Sequence, residues 1–198
     1  MSRYISVTDT AKLIRTQLKM NFPGIKFSVR SDKYAGGASI DISWTDGPLA
    51  KQVDAIVNGY RGGGFDGMID LKYSSESWLM PDGSATFAKT GGTEGSMGSV
   101  PADEAAPPSD KAERVRFCAD HIFTKREYSP EMWHRAFDAV CRKWGVDKTE
   151  VPVKNSTYDG RPYINGHFLV KNADQAIDVL IHRDLVKRTN YLAAKEAA

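Results

Sequence analysis

The fold turns on one stretch, Asn58-Gly59-Tyr60-Arg61-Gly62-Gly63-Gly64-Phe65-Asp66-Gly67-Met68-Ile69-Asp70, in which five of thirteen residues are glycine. Glycine reaches backbone conformations with positive φ and lets another backbone or a ligand approach closely. Such a run is not regular helix or strand throughout. Gly62 to Gly67 satisfies the pattern G-x-G-x-x-G. A dinucleotide loop needs that pattern after a strand and at the opening of a helix, so that the helix N-terminus meets the pyrophosphate. Here a helical pattern precedes the glycines and a strand pattern follows, which removes the dinucleotide reading. What remains is a close-packed helix-to-strand connection, whose amides could form a small anion nest and whose Arg61 could hold a carboxylate or phosphate. Close packing is the expectation for Gly62 to Gly64, and a surface role is the expectation for Tyr60, Arg61, Phe65 and Asp66.

Working outward, Ser6 to Met20 reads as a helix capped by Thr8 or Asp9, with Ala11, Ile14 and Leu18 at helical spacing. Ile25, Phe27 and Val29 alternate with polar residues as a strand, Ser31 to Gly37 reads as a loop, and Ile40, Ile42 and Trp44 line a second strand. These two strands predict a hairpin. Pro48 opens a second helix with Leu49, Val53, Ile56 and Val57 inward. After the glycines, Met68, Ile69, Leu71 and Tyr73 predict a third strand, and Trp78 to Phe87 two short strands around Pro81-Asp82-Gly83. The segment 89–110 is rich in Gly, Ser, Ala and Pro and reads as a long loop or linker. Beyond it, Ser109 is placed to cap a helix through Ala112, Val115, Ala119 and Ile122, although Val115, Phe117 and Ala119 also alternate as a strand would. Ser129-Pro130-Glu131 starts a clearer helix that Gly145 stops. Val151 to Val153 is a short edge strand, Arg161 to Val170 a hairpin around Asn165-Gly166, and Asn172 or Asp174 begins a last helix.

The fold class is therefore α+β, with small antiparallel sheets packed on helices. The expected domains are an N-terminal α+β domain at 1–88, the linker at 89–110 and a C-terminal α+β region at 111–198. Phe27 to Gly36 aligns with Val151 to Gly160 through a shared Val, basic residue, Tyr and Gly. Two related α-β-β-α halves and a chance similarity are both open on that match.

The 198 residues are 41% hydrophobic and carry a net charge of +2, which does not mark a nucleic-acid binder. Two cysteines do not make a disulfide framework, and a reducing cytoplasm is the simpler compartment. No apolar run approaches the roughly 20 residues of a membrane-spanning helix. Cys118-x-x-His121, His134 and Cys141 lack the paired knuckles of a structural zinc site, so neither metal nor cofactor is expected. Asp41, Asp66, Asp70 and Glu76 are candidates for an acid/base or magnesium cluster that their spacing does not compel. Basic residues recur with aromatic neighbours on loops and wet strand faces, including Arg30, Lys33, Lys72, Arg126, Lys154 and Arg161. That pattern suits phosphate contact with base stacking, against ordinary surface charge as the alternative.

The α-β-β-α opening, the segment Tyr34 to Trp44 and the block Gly63-Gly64-Phe65-Asp66-Gly67-Met68-Ile69-Asp70 resemble the large polyvalent-protein-associated domain family numbered twenty-nine. The stretches from Gly91 and from Val115 to Phe123 are similar to that group as well. The resemblance covers about residues 5–130 and implies a protein of phages, plasmids or conjugative elements, of a kind thought to protect an incoming element from host defence. It brings no catalytic residues. The leading expectation is a non-enzymatic accessory protein that binds a host or element protein, such as a defence complex, through Tyr34, Tyr60, Arg61, Phe65, Asp66 and Tyr73. The alternatives are a DNA- or RNA-binding module, and a metal-dependent enzyme using Asp66 and Asp70 with Arg61.

Overall fold

The computed structural model describes residues 2–89 and 105–189. The chain divides into two compact units, Met1–Trp44 with Ala50–Lys125, and Thr45–Leu49 with Arg126–Ala198.

In the first unit a short strand β1 (Arg3–Ile5) leads into helix α1 (Val7–Asn21). Ser6, not Thr8 or Asp9, is the cap: its hydroxyl accepts from the Asp9 amide at 3.1 Å, and Asp9 adds a first-turn carboxylate. Val7, Ala11, Ile14 and Leu18 form the buried stripe, at the spacing of one helix face. Strands β2 (Ser28–Tyr34) and β3 (Gly37–Thr45) pair antiparallel, with Val29 opposite Ile42 and Tyr34 opposite Gly37. The expected loop from Ser31 to Gly37 is instead mostly strand. Gly36, at φ 90°, closes the connection in two residues, so pairing continues to Tyr34. α1 packs on β2, and Ile40, Ile42 and Trp44 are buried. Fully burying a side chain of this size contributes about 1.5–3 kcal/mol.

Helix α2 (Ala50–Val57) follows, buried through Val53 and Val57. Next come β4 (Gly63–Asp66), β5 (Leu71–Ser74), β6 (Glu76–Leu79) and β7 (Ala85–Lys89). Past the segment 90–104, which lies outside the described residues, come β8 (Glu113–Phe117) and β9 (His121–Glu127). Most of the expected 89–110 loop therefore falls where no structure is described. Its flanks are informative, because β7 and β8 belong to one four-stranded sheet, ordered β1-β8-β6-β7. β8 pairs parallel with β1 and antiparallel with β6, so the sheet joins the chain's opening to residues beyond 110. β9 adds to the hairpin in the order β2-β3-β9. The expected helix after Ser109 is replaced by these two strands. The alternating residues Val115, Phe117 and Ala119 are buried, whereas the helix-spaced Ala112 is only half-buried. The compact units divide after Lys125.

The second unit contains α3 (Pro130–Trp144), β10 (Val153–Asn155), β11 (Pro162–Ile164), β12 (Leu169–Val170), β13 (Gln175–Ala176) and α4 (Ile177–Leu185). Ser129 caps α3 by accepting from the Met132 amide, and Gly145 ends it in the left-handed region at φ 65°. Met132, Ala136, Phe137 and Val140 of α3 share a core with Ile177, Leu180 and Ile181 of α4. The expected hairpin around Asn165-Gly166 does not form. Gly166 does take φ 90°, but β11 pairs back to β10 and β12 pairs forward to β13. The Asn165 amide is already bonded to the Pro152 carbonyl. Residues 171–174 form a turn with Asp174 at φ 49°, so α4 begins at Ile177, later than expected. The first unit contains α1, the β2–β3 pair and α2 but opens with β1 and continues into β4 to β9, whereas the second runs α3, two strand pairs and α4.

Arg126 organises this unit. Its guanidinium donates to the carbonyls of Asp46, Gly47 and Arg188 at 2.8–3.2 Å, and burial pulls its pKa below the ordinary value. It is a staple for two backbone segments, not the surface cation that the sequence pattern suggested.

Candidate functional site

The glycine block is built on a tight connection. α2 ends in a 3-10 turn at Asn58–Tyr60, and the Arg61 amide donates to the Asn58 carbonyl. Gly59 and Gly62 are there because backbone passes against backbone. A Cβ on Gly59 would lie 2.0 Å from the Ala85 carbonyl oxygen, and one on Gly62 would lie 1.7 Å from that of Phe117. The Gly62 amide donates to the Ala119 carbonyl at 2.8 Å, and its own carbonyl accepts from the Ser75 amide at 2.9 Å. Gly64 lies opposite Tyr73, whose phenol ring covers it.

Tyr60 is fully buried, its ring against Phe117 and its hydroxyl donating to the Gly83 carbonyl. Burial, and then the nearby Asp82 carboxylate, pushes its pKa up. The expected surface role of Tyr60 is therefore replaced by a core role. Asp66 is also fully buried, accepting from the Met68 amide at 2.9 Å as it starts the hairpin turn. It too is removed from the expected contact surface. Arg61 is half-buried. One terminal nitrogen donates to the Ile122 carbonyl at 3.2 Å, while its Nε is buried without a hydrogen-bond partner among the described residues.

Strands β4 and β5 form a hairpin with exposed apolar side chains at its turn and on both faces, since Phe65 pairs with Lys72 and Leu71 with Asp66. Phe65 is 54% exposed, Met68 70%, Ile69 52% and Leu71 60%. The sequence pattern sets Phe65 at the surface but predicts only an ordinary strand for Met68, Ile69 and Leu71. The missed signal is Gly67 and Asp70 bracketing Met68-Ile69: a turn holds its side chains away from its own strands, and Asp70 adopts φ 54° there. Lys72, opposite Phe65 in register, ties the hairpin to its neighbours. Its ammonium bonds Asp120 at 2.7 Å and the Gly36 carbonyl at 3.3 Å, and Asp120 also accepts from the Ala38 amide. Tyr34, at the end of β2, is 45% exposed and adjoins this junction. It borders a cleft of about 480 Å³ lined also by Ser6, Val7, Lys33 and Cys118.

Of the expected binding residues, the structure thus places Tyr34, Phe65 and the half-buried Tyr73 around one hairpin and its anchor. It withdraws Tyr60 and Asp66 into the interior. Several of the expected nucleic-acid contacts have acidic neighbours. Lys72 is held by Asp120, and Arg161 by Glu127 at 2.5 Å, a bond that raises its pKa. Arg30 sits opposite Asp41. Arg30 and Lys33 belong to the first unit, and Lys154 and Arg161 to the second.

The acidic candidates are dispersed as well. Glu76 accepts from the Ser2 hydroxyl at 2.5 Å and from Arg114 at 2.6 Å, and these bonds, Ser2's foremost, hold its pKa below the usual carboxylate range. Asp41 faces Arg30, Asp66 is buried and Asp70 is in the turn. Cys118 and His121 lie in the first unit, His134 and Cys141 in the second. Among the described residues no three His, Cys, Asp or Glu side chains converge as a metal site would require. No helix among them is long and apolar enough to cross a membrane.

A family model described as large polyvalent protein associated domain 29 matches residues 5–129, more than half of the chain. The match covers nearly all of the first unit, the glycine hairpin included, and only Thr45–Leu49 and the first residues after Lys125 of the second. No curated protein and no solved structure matches the chain.

Proposed function

The chain belongs to the large polyvalent protein associated domain 29 family, whose members are phage- and plasmid-associated, and on that premise we propose that it is a non-enzymatic accessory protein that docks onto another protein. The docking element is the hairpin β4–β5. The observation that carries this is the exposure of Phe65, Met68, Ile69 and Leu71 on one hairpin, while the glycines beneath them are committed to the fold. Large exposed apolar side chains gathered in one place mark interaction sites, whereas single exposed ones do not. The hairpin is a presented element: its base is hydrogen-bonded through Gly62 and Ser75, and Lys72 pins it to Asp120. Tyr34 and Tyr73 supply the polar-tipped aromatic rim that protein interfaces favour. The partner is a host or element protein, such as a defence component, blocked by occupancy.

The test is affinity capture from lysate of a host cell, comparing the natural chain with Phe65→Ser/Leu71→Ser. A protein retained by the natural chain and lost by the double variant, with thermal unfolding unchanged, is the expected result. Equal capture by both chains removes the hairpin as the docking element.

A further inference from the structure

The second unit holds a cleft of about 440 Å³ between α3 and α4. We propose that it binds a nucleotide, either free or at the phosphorylated end of a single strand. Lys143 comes from α3, and Arg183 and Lys187 from α4 and the residues after it. Among the described residues the one carboxylate lining the cleft, Asp184, is already bonded to Arg188 at 2.7 Å. Three cations therefore face the cleft against one paired acid among the described residues.

A plainer account is that basic side chains in the last turn of a helix offset its dipole. Each helix end carries only about half a negative charge, so two ends do not neutralise three full cations. Geometry also goes beyond dipole pairing, because the cations converge from two helices on one concavity. Its wall is apolar, formed by Val140, Leu180 and the Trp144 indole, with the Lys143 ammonium 5.2 Å from the ring centre. Arg183 is oriented by the Gln175 side chain, to which it donates at 2.5 Å. Guanidinium and ammonium groups beside an aromatic wall match a phosphate joined to a planar base. Inorganic phosphate would satisfy the cations alone and leave the wall unused.

Calorimetric titration of the full chain at low salt with inorganic phosphate, AMP and a 5′-phosphorylated single-stranded hexanucleotide tests this. The expectation is that AMP or the hexanucleotide binds at least tenfold more tightly than phosphate. Arg183→Ala/Lys187→Ala should remove that binding while leaving the unfolding temperature unchanged, and Arg183→Lys should retain most of it. Equal affinity for AMP and the strand identifies the free nucleotide, whereas tighter strand binding that weakens steeply with salt identifies the strand end. Absence of binding by both, no preference over phosphate, or binding unaffected by the double variant overturns the proposal. Hairpin variants such as Phe65→Ser/Leu71→Ser should bind AMP and the hexanucleotide as the natural chain does, so this result stands or falls apart from the docking proposal.

Discussion

In the hairpin β2–β3, Val29, Ile40, Ile42 and Trp44 are turned inward and no more than 5% exposed; in β4–β5, Phe65, Met68, Ile69 and Leu71 are each more than half exposed. Both hairpins are antiparallel and both contain bulky apolar side chains. The first is covered, since α1 packs on it and β9 extends it. The second is a two-stranded pair attached at its base. Apolar residues in a strand thus stabilise the fold only where another element covers them. Where none does, they remain available to a partner.

The largest expected effect lies in the covered hairpin. Ile42→Ala should lower stability by about 2–5 kcal/mol, the range for emptying a packed core site, while Leu71→Ala should stay within about 0.5 kcal/mol, as exposed substitutions do. Denaturant melts of the two variants measure this. Similar losses in both would mean that the second hairpin is core after all.

A second contrast lies within the glycine block. Gly62→Ala puts a Cβ 1.7 Å from a backbone oxygen, which only backbone movement can relieve. It should cost about 1–3 kcal/mol or more, as overpacking does. Gly67→Ala meets nothing within 4 Å and should be close to neutral. Thermal unfolding of the pair reads the difference, and a neutral Gly62→Ala would contradict the close-packed connection.

The smallest effect belongs to the anchor. Lys72 is half exposed and its bond to Asp120 is partly solvated, so Lys72→Ala should cost only about 0.2–1 kcal/mol, and less in high salt. Amide hydrogen exchange should nevertheless quicken in β4–β5 more than in β2–β3. Equal exchange in both hairpins would show that the hairpin does not depend on this tie.

How legible these features were depended on whether the signal was local. Ser129-Pro130-Glu131 with Gly145 bounded α3 correctly, because caps and left-handed glycines act within a turn or two of the chain. The region from Val115 to Ile122 satisfied helix and strand patterns at once. Pairing with β1, over a hundred residues earlier, settled it as strand. Tyr60 and Asp66 were misplaced for a related reason: a polar-tipped residue in a glycine-rich run reads as surface unless its distant partner is known. For Tyr60 that partner is the Gly83 carbonyl.

Composition, periodicity and capping were enough to establish the α+β class, the helix boundaries near Ser6 and Ser129, the inward face of β2–β3 and the family resemblance. These rest on side-chain spacing and on contacts between near neighbours in the chain. Sheet order, the division after Lys125 and the exposure of the glycine hairpin came from contacts between distant segments. Burial is a property of what lies opposite a residue, and the amino-acid pattern around Phe65 and Leu71 records the strand but not that, among the described residues, these side chains stay exposed.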